Sequence, residues 1–411
     1  MEKVAYNLSI SRIPKPIILL ISGGFIQSLG NSLMWPLNSI FMHNVLHRSL
    51  TEAGLMLALQ SLLALLGQFA SGFLVDRFGP LKIMRIGLIA VTSLLGLIAV
   101  YPRWEIYAPA FVLLGLAQAN IMVPLNTMVP MLWPEGQRQG YNFLYVANNA
   151  GVAVGTALGG LVAQFSFRLV FSLNAGCFFV YLGLVIFGAR LLKATAPLRS
   201  SASVRNQIWR DPGFRVLLAL MGGILLYWSA YVQWMAVLPV VMNQRGFSLP
   251  AYSSLWTLNG VFIVVLQPVV SWVIRHWAGS YRRQFYLASV LTIIPFVILF
   301  GHLPYVSYVV GMLILTVAEM LILPSLPAAA AQLAPDGKGG QYQGMVGSAG
   351  AGGRMLGPLV GGAVFDRSND SMVWLTGIGF MVLSIFSFNL YSRLGRVCQH
   401  TAKPAKSNIK N

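Results

Sequence analysis

Residues 341–362 read QYQGMVGSAGAGGRMLGPLVGG, and residues 140–160 read GYNFLYVANNAGVAVGTALGG. Superimposed at an offset of 202, Gly151, Gly155, Gly159 and Gly160 fall on Gly353, Gly357, Gly361 and Gly362. The flanks PEGQRQGY (134–141) and PDGKGGQY (335–342) match at an offset of 201. The chain therefore repeats itself, with its midpoint near residue 205. Within the second stretch Gly344, Gly347, Gly350, Gly353, Gly357 and Gly361 follow at helical steps and form one stripe; Gly151, Gly155 and Gly159 do the same in the first. Absent side chains let two helix backbones approach closely, which is how helices associate in lipid. The stripes are either static packing or rocking contacts. Their matching places in both halves favour rocking, and with it a membrane transporter.

Of the 411 residues, 56% are hydrophobic and 9% charged, against roughly 25% charged in soluble domains. The apolar residues fall into twelve blocks, at about 17–43, 51–75, 83–101, 106–131, 140–164, 168–191, 214–243, 249–274, 284–302, 305–331, 341–365 and 371–393. Each is long enough to cross a hydrocarbon core of about 30 Å as a helix. Blocks of this length without two-residue alternation exclude an outer-membrane barrel. The expected fold class is an all-α membrane protein, with twelve transmembrane helices in two pseudo-symmetric six-helix bundles.

The net charge of +18 suggests a nucleic-acid partner until its distribution is read. With a cytoplasmic N-terminus and every block crossing, 22 of the 28 Lys and Arg fall on the inner side. That asymmetry is the positive-inside rule; it puts both termini in the cytoplasm and removes the nucleic-acid reading. Span 1 is too long for a signal peptide. Cys177 and Cys398 form no disulfide framework or metal motif. The organisation expected is an N-terminal bundle (1–191), a basic Ser/Ala/Pro-rich cytoplasmic linker (192–213), a C-terminal bundle (214–395) and a basic cytoplasmic tail (396–411).

Nine of the ten acidic residues lie at termini, in loops or at helix ends. The exception is Glu319, near the middle of span 10, and Arg354 lies at similar depth in span 11. A charge at that depth costs about 2.5–3.5 kcal/mol on insertion scales, so neither should face lipid. Three readings stay open. Glu319 is a proton-coupling carboxylate whose affinity changes as Arg354 moves. Alternatively Arg354 binds an anionic substrate group and Glu319 neutralises it at rest, or the two are structural charges. Pro324 and Pro327 release the carbonyls of Met320 and Leu323 and mark a cavity-side segment.

Candidate cavity residues come from spans 1, 4, 5 and 7. Gln27, Asn31 and Asn38 share a face of span 1 beside Trp35. Span 4 carries Gln118, the repeat counterpart of Glu319, and span 5 carries Asn148. Span 7 carries Gln233 and an aromatic stripe of Tyr227, Tyr231 and Trp234. Aromatic surface with amide edges suits a hydrophobic or amphipathic ligand, and equally suits plain helix packing.

Residues 72–85, GFLVDRFGPLKIMR, resemble the G-x-L-x-D-R-x-G-[RK] loop between helices 2 and 3 of the major facilitator superfamily, through Gly72, Leu74, Asp76, Arg77 and Gly79. Pro80 and Leu81 replace its usual basic residues. Residues 151–160 resemble the G-x-x-x-G-P-x-x-G-G motif of the twelve-helix drug:proton antiporter branch, with Thr156 in place of proline. GRMLGPLVGG (353–362) fits that pattern completely, including Pro358, but in span 11. The resemblance implies the major facilitator fold, with a central cavity opening alternately to each side. It implies a gate of Gly72, Asp76, Arg77 and Gly79 in which Asp76 caps span 11 and pairs with a nearby arginine; Arg138 is assigned to the same gate. It supports Glu319 with Arg354 as the proton-coupling pair and Gly151, Gly155, Gly159, Gly353, Gly357, Pro358 and Gly361 as helix-packing positions. The expectation is a proton-coupled exporter of hydrophobic or amphipathic small molecules in the cell membrane. It would work as a monomer, with no cofactor beyond protons, no metal and no enzymatic activity. The rivals are a proton-coupled importer of a small nutrient, including an anionic one, and a receptor-like protein that has lost transport.

Overall fold

In hydrocarbon every backbone N–H and C=O must find its partner within its own segment, so long apolar blocks become helices. The computed structural model describes residues 13–38, 41–48, 50–192, 212–301 and 304–401. Among them there is no strand. The long helices are α1 (Lys15–Met34), α2 (Leu50–Phe78), α3 (Pro80–Val100), α4 (Trp104–Leu132), α5 (Gln137–Ala163), α6 (Phe167–Phe187), α7 (Pro212–Tyr231), α8 (Leu249–His276), α9 (Tyr281–Leu299), α10 (Tyr305–Ile322), α11 (Gly339–Arg367) and α12 (Asp370–Thr401). Eleven of these, with their continuations, are long and apolar enough to cross a membrane. The remaining one, α11, has the length, at 29 residues, but its glycines dilute its apolarity.

Several boundaries differ from the sequence expectation. Span 1 is not one helix: α1 stops at Met34 and continues as a 3-10 turn, Trp35–Leu37, and a π-helical turn, Phe41–Val45. Pro36 brings no N–H to the ladder there. Span 7 also breaks, continuing as Gln233–Ala236 and Leu238–Gln244. At that break the Gln233 amide donates to the Ser229 carbonyl at 3.1 Å. The break in span 10 falls where its prolines predict, between Ile322 and Ser325. Helix α12 runs to Thr401, beyond the expected start of the tail. The linker residues 193–211 and the tail residues 402–411 lie outside the described residues.

The repeat is visible in the packing. In the first half α1 packs on α5 and α6, α2 on α4, and α3 on α4 and α6. In the second, α7 packs on α11 and α12, α8 on α10, and α9 on α10 and α12. Each half has its own apolar core, one drawn from residues 17–192 with Ala328 and one from residues 214–388. The halves meet along α2–α11, an extensive seam, and α5–α8, a sparse one.

The glycine stripes separate two kinds of contact. A Cβ on Gly151, Gly155 or Gly159 would lie 2.3–2.5 Å from a backbone carbonyl oxygen of α1. One on Gly353 or Gly357 would lie 2.4 or 2.7 Å from a carbonyl oxygen of α7, and Gly361 abuts the Gln233 side chain. These repeat-matched glycines seal helices within a half, which corrects the expectation that they form the rocking surface. The close contact between the halves is made instead by Gly72, Gly340 and Gly344, which meet backbone across α2–α11, and by Gly347 against the Gln68 side chain. Pro358 is accommodated without breaking α11.

A matched pair of substitutions tests this division. Gly353→Ala puts a methyl 2.4 Å from the Leu225 oxygen, whereas Gly362→Ala meets nothing within 4 Å. Overpacking of that kind costs about 1–3 kcal/mol. Scanning fluorimetry of the purified protein should show a lowered unfolding midpoint for Gly353→Ala and an unchanged one for Gly362→Ala.

Candidate functional site

The turn between α2 and α3 is set by Gly79, whose φ of +85° is a conformation that favours glycine. It leaves Asp76 in the last turn of α2, facing the start of α11. Asp76 accepts from the Gly340 N–H at 2.7 Å and the Gln341 N–H at 2.9 Å. A carboxylate at the positive end of a helix, bonded to two N–H groups that have no intrahelical partner, is stabilised in both respects. The expected cap is present; the expected arginine pair is not. Arg77 lies over the Phe78 ring at 5.2 Å. The ion pairs among the described residues are Arg48–Glu52 and Arg245–Asp370, and neither includes Asp76.

Arg138 closes a different point. From the first turn of α5 it donates to the Gly279 carbonyl at 3.0 Å and to the Ala278 carbonyl at 3.4 Å, just past the end of α8, and lies over the Tyr281 ring. A cation on the negative end of α8 thus complements the carboxylate on the positive end of α11. Further links across the seam run from Ser348 Oγ to the Leu65 carbonyl, 2.9 Å, and from the Gln343 amide to Tyr141 Oη, 3.1 Å. These hydrogen bonds form one set across the seam between the halves. It ties the end of the molecule that carries Asp76.

Glu319 is buried on α10 and faces protein. Its Oε2 accepts from Tyr231 Oη of α7 at 2.9 Å and from the Asn259 amide of α8 at 3.1 Å; Asn259 also donates to Thr316 Oγ1. From the other half, Tyr145 Oη of α5 approaches the same carboxylate without hydrogen-bond geometry. The equivalent place in the first half holds a neutral pair, Gln118 donating to Asn31 Oδ1 at 3.0 Å.

The structure does not bring Arg354 to Glu319, which corrects the expected ion pair. Helix α7 stands between them. Its Tyr231 takes the acid, while its Trp228 carries the Arg354 guanidinium over its ring at 4.6 Å. The two rings touch edge to face, with centroids 5.3 Å apart. Arg354 is solvent-accessible although it lies deep in the molecule, because it faces a cavity between the halves. No carboxylate among the described residues pairs with it.

That cavity has a volume of about 220 Å³ and is lined from both halves, by Gln68, Asn126, Tyr145 and Asn148 on one side and Trp228, Gln343 and Arg354 on the other. Of the expected cavity residues only Asn148 lines it. Tyr227 and Trp234 are fully buried, and a Cβ on Gly311 of α10 would lie 2.9 Å from the Trp234 ring. Gln233 is buried and ties α7 to the Gly357 carbonyl at 2.7 Å. Gln27 is buried, Asn31 serves Gln118, and Trp35 is exposed at the break after α1. Helical spacing identified a shared face but could not say which neighbour it met.

One polar cluster was missed by sequence reasoning, which counted its members only as loop charges. Arg245 donates to Asp370 at 2.6 Å, to the Gly301 and Leu299 carbonyls and to Tyr308 Oη. It ties the ends of α7, α9 and α12 on the side of the second half away from Asp76.

The sequence profile described as Major Facilitator Superfamily matches residues 20–358. The chain is 38% identical over 394 residues to the uncharacterized MFS-type transporter YttB of Bacillus subtilis (strain 168), covering 96% of this chain and 99% of that one. It is 25% identical over 398 residues to the multidrug resistance protein MdtH of Salmonella arizonae, covering 94% of each. In fold it is similar to the human organic anion transporter MFSD10 (TETRAN), with a TM-score of 0.75 at 18% identity, covering 90% of this chain and 98% of that one. A profile match over most of the chain, a relative matched end to end and two packed repeats of six helices agree, and the chain belongs to the Major Facilitator Superfamily.

Proposed function

We propose that this transporter exports hydrophobic or amphipathic small molecules in exchange for protons, by alternating access. The observation that carries the reading is the buried Glu319, held by Tyr231 and Asn259 of its own half with Tyr145 of the other half against it. Tyr145 also lines the inter-half cavity, so the acid is one side chain removed from it. When the halves rock, Tyr145 leaves with α5 and Glu319 gains access to water and to a proton. An isolated carboxylate at mid-depth is costly and a protonated one far less so, which makes proton binding and conformation interdependent. The distant resemblance to a multidrug resistance protein supports export. The charge asymmetry supports a cell-membrane orientation with the Asp76 end and both termini in the cytoplasm. In that orientation the Asp76 and Arg138 contacts are the cytoplasmic gate, and one chain is the working unit.

A second reading, favoured by Arg354, is proton-coupled import of a small anionic nutrient. A guanidinium facing the cavity without a carboxylate partner is a ready counter-charge for a substrate anion.

Inverted vesicles separate the two. Export predicts that ethidium accumulates in them under a proton gradient and that an uncoupler abolishes the accumulation; a gradient-independent ethidium signal would remove the coupling. Glu319→Gln should reduce gradient-driven accumulation to background while ethidium binding to the purified protein is retained. Unchanged gradient-driven flux in that variant would exclude the acid as the proton site. Asp76→Asn keeps one acceptor oxygen and turns an NH2 donor toward the other N–H, so one of the two charge-assisted hydrogen bonds becomes neutral and the other is lost. It should weaken the closed gate by about 2–3 kcal/mol, roughly 30- to 150-fold in the closed-to-open ratio. Accessibility of a cysteine introduced beside Gln343 should rise accordingly, with little change in ligand affinity.

A further inference from the structure

Away from the inter-half cavity, a groove of about 1400 Å³ opens in the second half, among the start of α7, the start of α9, the helical segment Ser325–Leu333 and the end of α12. Its lining includes Arg282, Arg283 and Arg393, all exposed, and no acidic residue. None of the three has a carboxylate partner among the described residues. Arg282 lies over the Tyr286 ring at 5.6 Å, and Arg283 donates to the Trp277 carbonyl at 3.3 Å, so both are held at the groove. The lining is apolar in the other direction. Val290, nine residues along α9 from Tyr281, is 48% exposed. At 1.5 Å per residue it lies about 13 Å deeper into the span. Trp277, 70% exposed, stands at the mouth, where an amphipathic ring belongs at a membrane–water interface.

We infer that this groove is a binding site for one acidic phospholipid, with its phosphate at Arg282, Arg283 and Arg393 and an acyl chain along Tyr286 and Val290. The arrangement requires a ligand that is anionic at one end and apolar at the other. The guanidiniums match a phosphodiester, and the exposed apolar strip leads from them toward the hydrocarbon. The chain's own neighbouring segments are poor occupants, because they repeat the groove's sign. Residues 193–211 carry four Lys and Arg against one Asp, and residues 402–411 carry three Lys and no acid. The site also touches the gate: Tyr281 and Ala278 line the groove, and both are contacted by Arg138 of the first half.

The test uses the full chain, delipidated in detergent and titrated with phosphatidylglycerol or phosphatidylcholine, with bound lipid counted by native mass spectrometry. One phosphatidylglycerol should be retained in preference to phosphatidylcholine. The Arg282→Gln, Arg283→Gln, Arg393→Gln triple variant should bind it roughly 100-fold more weakly. A control triple variant, Arg103→Gln, Arg168→Gln, Arg367→Gln, loses the same charge elsewhere and should bind like the unmodified protein. Equal retention of the two lipids, unchanged binding in the groove variant, or equal loss in the control would overturn the assignment. So would displacement of phosphatidylglycerol by 10 mM inorganic phosphate (a roughly hundredfold excess over lipid would suffice), which would make a free anion the occupant. Should the groove variant unfold, Val290→Arg offers a second route: it should block the acyl strip and release the lipid with all three arginines intact.

Discussion

The contact on which the rest of the molecule depends is backbone against backbone along α11. Its first turns lie on α2 of the other half and its later turns on α7 of its own. Both approaches bring a prospective Cβ within about 2.4–2.7 Å of a carbonyl oxygen, at Gly344 on one face and at Gly353 and Gly357 on the other. Any side chain would have to push the helices apart. Because apolar side chains gain nothing from each other that lipid tails do not also offer, close packing of small residues and interhelical hydrogen bonds must hold such helices together. Helix α11 is therefore in close backbone contact with both halves, and Asp76 adds two hydrogen bonds from the other half to the N–H groups at its start.

The same helix explains why the two mid-depth charges stay apart. Neighbours in sequence are not neighbours at that depth, since α7 packs on α11 and comes between it and Glu319. The Trp228–Tyr231 pair then serves both charges at once: a ring face for the guanidinium and a hydroxyl for the carboxylate. Each charge is satisfied by weaker partners than an ion pair would supply. Each also remains available, the carboxylate close behind Tyr145 and the guanidinium toward the cavity. A closed Glu319–Arg354 pair would have been harder to open, because separating two buried partners leaves each one uncompensated.

Much of this was legible in the sequence, for identifiable reasons. Duplication leaves a numerical trace, and Tyr141 meets Gln343 across the seam at the separation of 202 that aligns the two halves. Hydropathy located the spans, and the loop resembling the superfamily motif located the Asp76 cap. What the sequence did not carry was azimuth and continuity. Depth places Glu319 and Arg354 on one level, but a helix turns about 100° per residue, so level does not fix the neighbour. The breaks after Met34 and Tyr231 lie inside apolar runs, where hydropathy has no contrast to register. Spacing put Tyr227, Tyr231 and Trp234 on one face without revealing that the face points into the core of the second half instead of the cavity.

The asymmetry between the halves bears on how one acid could serve the whole of the proposed cycle. Gln118 and Asn31 form a neutral pair wholly within the first half, and rocking one half against the other leaves such a pair untouched. The equivalent pair in the second half, Glu319 with Tyr231, also lies within one half but has Tyr145 of the other half against it. In the proposed cycle this copy of the repeat, unlike the Gln118–Asn31 pair, has a neighbour on the moving half. In the proposed cycle the charge and the moving neighbour must coincide: a carboxyl at the Gln118 position would bear the cost of burial without sensing the motion, and a neutral amide at the Glu319 position would sense the motion without binding a proton.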